Sequence, residues 1–201
     1  VPVSANTIHG DPGHPKDARA SKRTLTVLRT VKVQRSQEEG LATLQNISDD
    51  GMKLALQLSV RVGDAIVIFL SDVDRLQGTV VWTDGARCGL QLAESIDSDA
   101  LLADLVERTR EGLVRPVRMA TTVAGVAYSE GAVHPIQVRD ISQRGIKIEH
   151  CANFVAGRPI KVRLITGLEL SGTVRWSREG VAGIRLLAPI GVEQLGSSKL
   201  L

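Results

Sequence analysis

The feature that most constrains the fold of this 201-residue chain is that much of it is written twice. The phrase "NISDDG" at 46–51 returns as "DISQRG" at 140–145, an offset of 140 − 46 = 94 residues. Without a gap, the same offset superposes Lys53 on Lys147, Gly63 on Gly157, "GTVVW" (78–82) on "GTVRW" (172–176), Gly89 on Gly183 and Leu92 on Leu186. A period of that length is a duplicated domain, because solenoid and propeller repeats run only about 20 to 50 residues. Two modules follow, each near the size at which one core is adequate.

Composition decides what those cores are made of. The chain is 43% hydrophobic but only 2% aromatic, so Val, Ile and Leu must fill the interior, and the β-branched share favours strands. Short runs separated by Gly, Asp and Asn clusters supply them: "TLTVLRTVKV", "LATLQNI", "MKLALQL", "AIVIFL", "LQGTVVW" and "CGLQLA". The second module repeats the order through "TTVAGVAY", "IQVRDI", "IKIEHC", "IKVRLI", "LSGTVRW" and "AGIRLL". Between them the period changes: in "DSDALLADLVERTREG" (97–112) Leu101, Leu102, Leu105 and Val106 recur at helical spacing, with Asp97 or Ser98 as N-cap and Gly112 as the stop. The expected fold is all-β, two six-stranded antiparallel barrels in tandem joined by an α-helix. Residues 1–22 read as a flexible tail, 23–96 as the first barrel, 97–113 as helix and linker, 114–190 as the second barrel and 191–201 as a C-terminal tail too glycine-broken for a full helix.

The repeated phrase, D/N-x-S-x-x-G after the first hairpin of a short-stranded barrel, resembles the signature of PilZ domains, bacterial receptors for cyclic di-GMP. The family's second signature, R-x-x-x-R, is matched in the first module by "RASKR", with Arg19 and Arg23, the latter 46 − 23 = 23 residues before Asn46. In the second module Arg118 stands 140 − 118 = 22 residues before Asp140, but Val114 occupies the place four earlier and the neighbouring Arg115 gives R-x-x-R. The resemblance implies a cyclic di-GMP site at Arg19, Arg23, Asn46, Ser48 and Gly51, taken as the main one, and a possible second at Arg115, Arg118, Asp140, Ser142 and Gly145. It implies a receptor that signals by ordering its N-terminal arginine segment and changing the arrangement of its domains toward an unidentified downstream protein.

The residue types suit that ligand. An arginine fork pairs with phosphate or with guanine O6 and N7, and its flat face stacks on a purine. Asn46 or Asp140 can accept from guanine N1 and N2, and Ser48 and Ser142 can donate to a ligand oxygen. Gly51 and Gly145 suit either a turn of positive φ or a close approach of backbone to ligand. The competing reading is a polar turn in which Asx and Ser side chains close on their own backbone. On that reading the chain is a tandem barrel acting as a protein-interaction scaffold without nucleotide binding.

Other functions find less support. Cys88 and Cys151 fall at non-equivalent positions without metal or redox spacing, as expected of reduced cysteines in a cytoplasmic protein. His9, His14, His134 and His150 lack partners at ligand spacing, so no metal site, cofactor or catalytic centre is expected. Five aromatics are too few for the stacking platforms of single-strand nucleic-acid barrels, and net charge +3 is slight. Trp82 and Trp176, equivalent in the repeat, read as core or barrel-end residues. No apolar run reaches the length of a membrane span, and no segment reads as a signal peptide.

Overall fold

Alternation sets the lie of each strand. In β1 (Arg29–Arg35) Val31 and Val33 point inward and are fully buried, while Lys32 and Gln34 stay partly exposed outside. The same pattern continues through β2 (Glu38–Ile47), β3 (Gly51–Leu56), β4 (Ala65–Phe69), β5 (Arg75–Thr83) and β6 (Arg87–Leu92). The computed structural model, which describes residues 28–198, pairs them in the order β1-β2-β3-β6-β5-β4 and closes the barrel by pairing β4 with β1. Among the described residues, closure leaves this barrel no edge strand exposed for pairing with another chain.

The second barrel repeats this order. It comprises β8 (Ala124–Ser129), β9 (Ala132–Ser142), β10 (Gly145–His150), β11 (Pro159–Leu164), β12 (Glu169–Arg178) and β13 (Val181–Leu186), and closes through β8–β11 and β9–β10. Adding 94 to the bounds of β3 and β6 returns those of β10 and β13. A short extra strand, β7 (Met119–Ala120), pairs with the end of β9. Among the described residues both interiors are mainly aliphatic, with Phe154 buried in the second core and Phe69 packed against it.

Helix α1 (Ser98–Arg110) packs Leu105 onto the first core, with Leu101 and Leu102 beside it. Asp97 caps it by accepting from the Ala100 N–H at 2.9 Å. It ends on Gly112 at φ +72°, where the N–H groups of Gly112 and Leu113 donate to the carbonyls of Thr109 and Arg108. This Schellman stop needs a residue that tolerates left-handed backbone.

The barrels are docked through the outer face of β2. Leu41 points away from its own barrel, is 1% exposed and belongs to the second core; Pro135, its counterpart, is exposed. A 3-10 turn at Glu193–Leu195 brings the C-terminal segment onto β2, where a Cβ on Gly40 would stand 2.0 Å from the Gly196 carbonyl oxygen. Ser198 N–H donates to the Glu39 carbonyl at 2.6 Å, and the Glu39 carboxylate takes Lys32 at 2.9 Å and the Ala120 N–H at 3.1 Å.

Candidate functional site

Each barrel carries two β-bulges at equivalent places. One lies between Leu44 and Asn46, repeated opposite Lys147 and Ile148; the other lies between Val80 and Trp82, repeated between Val174 and Trp176. An added residue shifts the strand's alternation by one and turns the next side chain to the other face. Trp82 and Trp176 are therefore not core residues: they stand on the outer surface, 40% and 37% exposed. Each indole lies against the glycine across the ladder, where a Cβ on Gly89 or Gly183 would stand 1.9 or 2.3 Å from Trp Nε1. The repeated Trp–Gly register builds a flat aromatic shelf on each barrel.

Beside each shelf is the hairpin carrying the repeated phrase. The Ser48 hydroxyl donates to the Gly51 carbonyl at 3.2 Å, and Ser142, buried, donates to Gly145 at 3.0 Å. Both hydroxyls thus close the turn on its own backbone. Neither Gly51 nor Gly145 has positive φ; a Cβ there would stand 2.8 Å from the Leu90 carbonyl oxygen or 3.0 Å from that of Ile184. What these positions require is close approach of the neighbouring strand.

In the second barrel, shelf and hairpin bound a pocket of about 400 Å³ lined by Arg115, Arg118, Asp140, Arg144, Gly145, Lys147, Arg175, Trp176 and Arg185, among others. Four of the five residues expected from the sequence meet here, and Ser142 does not line it. Arg118 Nη1 donates to Asp140 Oδ1 at 2.5 Å, so the carboxylate holds the guanidinium over Gly145. Arg178 lies 5.4 Å from the centre of the Trp176 ring. Sequence reasoning missed Arg144 because it fills a free position of the repeated phrase, and Lys147, Arg175 and Arg185 because they lie outside both signatures. Arg144 and Lys147 come from the hairpin and its second strand; Arg175 and Arg185 arrive across the β12–β13 ladder. "GTVRW" against "GTVVW" held one visible hint, a cation gained at an unchanged tryptophan, and "DISQRG" against "NISDDG" another.

The first barrel's pocket, about 410 Å³, is lined by Asn46, Ser48, Gly51, Lys53, Val81, Trp82 and Gly89, among others. Arg19 and Arg23 lie outside the described residues. Where the second copy has Arg144, Arg175 and Arg185, the first has Asp50, Val81 and Gln91. The difference extends to the whole module: residues 28–113 carry 9 − 14 = −5 and residues 114–198 carry 11 − 6 = +5. Among the described residues, no group of three or more His, Cys, Asp or Glu could hold a metal ion. No helix among them is long and apolar enough to cross a membrane.

Each barrel with its hairpin corresponds to one PilZ domain. The PilZ domain family model matches residues 17–108 and again 114–198, and the chain belongs to this family. No curated protein matches it. Among solved structures it is similar to the Borreliella burgdorferi PlzA protein in complex with c-di-GMP (12% identity, 81% of this chain and 82% of that one, TM-score 0.37). It is also similar to the Bacillus subtilis inhibitor of motility (10%, 85% and 93%, TM-score 0.35) and to K. pneumonia MrkH with c-di-GMP (12%, 81% and 80%, TM-score 0.31).

Proposed function

We propose that this PilZ protein is a cyclic di-GMP receptor in which the second barrel supplies the stronger site. The observation that carries the reading is the convergence of five arginines and a lysine with one carboxylate beside an exposed indole. Cyclic di-GMP presents two phosphate charges and two guanines. Arginine forks suit the phosphates and guanine O6 and N7, and a guanine face can stack on Trp176. Asp140 suits guanine N1 and N2, which means it must release Arg118; binding is then an exchange of partners that frees the guanidinium for the ligand.

The first barrel offers Asn46, Lys53 and Trp82 and depends on Arg19 and Arg23 for further cations, so on this reading it fills after the second. The output is a changed state of the N-terminal arginine segment, or a changed angle between barrels, read by a partner protein; any such switch needs a ligand that binds its two states unequally. Isothermal titration of cyclic di-GMP, with GTP as control, tests the reading. Saturable binding that weakens at least about tenfold in Arg118→Ala supports it, since charge-assisted hydrogen bonds contribute about 1.5 to 3 kcal/mol. Arg19→Ala/Arg23→Ala should remove only the weaker site. No heat at high protein concentration would leave the tandem barrel as an interaction scaffold.

A further inference from the structure

Two arginines of the second pocket, Arg115 and Arg118, ride on the segment between α1 and β7, and the first barrel holds that segment. The turn between β4 and β5 is tightly tied: the N–H groups of Val73 and Asp74 donate to Ser71 Oγ at 3.2 and 2.9 Å, and the Leu70 N–H donates to the Asp74 carbonyl at 2.9 Å. Its Asp74 carboxylate takes Arg108 Nη2, from the last turn of α1, at 2.9 Å on both oxygens. The adjacent Asp72 then accepts the backbone N–H of Arg115 at 3.3 Å. A second strut runs from β1: the Thr30 hydroxyl donates to Gln143 Oε1 at 2.8 Å, and Gln143 precedes Arg144.

The duplication provides an internal control. Ser71–Asp74 corresponds to 165–168, "ITGL", which carries no acid. Thr30 corresponds to Ala124, and Gln143 to Asp49, whose carboxylate instead binds the N–H and hydroxyl of Ser98 at the start of α1. The struts occur only in the copy where they reach the other barrel.

We propose that Asp72 is a positioning residue for the ligand of the second pocket, fixing Arg115, with Thr30 a parallel strut for the loop that carries Arg144. The inference rests on the receptor reading above. Its sign is distinctive. As a bare negative charge near Arg115, Asp72 would weaken attraction for phosphate, and removing it would tighten binding. As a strut it must do the reverse, because a loosened arginine loses the orientation its hydrogen bonds need.

The experiment uses the full chain with Asp72→Ala, Asp72→Asn and Thr30→Val, read by cyclic di-GMP titration and by hydrogen exchange at the Arg115 amide. An asparagine still offers an acceptor, so Asp72→Asn should bind within about twofold of wild type. Asp72→Ala and Thr30→Val should each bind about three- to tenfold more weakly, the range of one hydrogen bond. Exchange at Arg115 should rise in Asp72→Ala and stay low in Asp72→Asn. Equal binding by all variants, or tighter binding by both Asp72 variants, overturns the proposal. If wild type takes up no ligand while exchange at Arg115 follows this pattern, the receptor reading fails and the strut stands. If wild type binds and Asp72→Ala alters neither readout, the strut alone fails.

Discussion

Leu41→Ala isolates the joint between the barrels. The side chain is 1% exposed on the face of β2 that would be wet if the first barrel stood alone. Buried Leu→Ala substitutions cost about 2 to 5 kcal/mol, the spread reflecting how far the site collapses. Here collapse is limited, because the Glu39–Ser198 backbone bond at 2.6 Å and the Gly40–Gly196 contact hold β2 and the C-terminal segment at fixed spacing. A cost of about 3 kcal/mol is therefore expected. Urea unfolding followed by far-UV circular dichroism measures it. Pro135→Ala, at the exposed equivalent position, should stay within about 0.5 kcal/mol. A loss below about 1 kcal/mol for Leu41→Ala would refute the enclosure of this side chain between barrels.

Gly183→Ala would set a methyl 2.3 Å from Trp176 Nε1 and push the indole from its shelf; cyclic di-GMP titration should show affinity about tenfold weaker or more, with thermal stability nearly unchanged, if guanine stacks there. Burial pushes the Asp74 carboxyl up, but hydrogen bonds from Ser71 and Arg108 and the charges of Arg108 and Arg29 outweigh it and leave it below the usual carboxylate range. Its contribution to stability is thus present above the unfolded value near 3.9 and disappears as pH falls through the lower folded value. Urea midpoints from pH 6 to pH 2.5 should fall more steeply for wild type than for Asp74→Asn, and parallel curves would count against the clamp. Burial, aided by the Asp84 charge, pushes the Cys88 thiol up to about 11, whereas Cys151 is exposed. A thiol reagent near pH 8 should find one fast cysteine per native chain, and two fast cysteines would contradict the burial.

The repeat, barrel class and connecting helix were legible because they rest on local patterns. The offset of 94 carried all six barrel strands from one copy to the other, and the helix expected at 97–112 occurs at 98–110, with Asp97, one of two caps considered, and the expected Gly112 stop. The run at 24–33 was read as one strand; β1 starts at Arg29, Leu28 is exposed, and the earlier residues lie outside the described range. Of the two places considered for the tryptophans, the core fails because a bulge leaves no mark in an alternation count: "VVW" reads the same with or without the added residue. Strand β7 was too short to announce itself. The docking of the barrels hides in Leu41, one apolar residue on a face that alternation assigns to water. Arg175 and Arg185 entered the pocket through register, which no motif confined to neighbouring residues can express.

The shelves have a practical corollary. Trp82 and Trp176 are the only tryptophans in the chain, one in each pocket and both partly exposed. The molecule therefore carries a built-in optical gauge at each site. Trp82→Phe would leave emission from the second pocket alone, and Trp176→Phe from the first, each reporter in unaltered native surroundings. Quenching curves from the two variants, recorded on unlabelled protein, would give the order in which the barrels load.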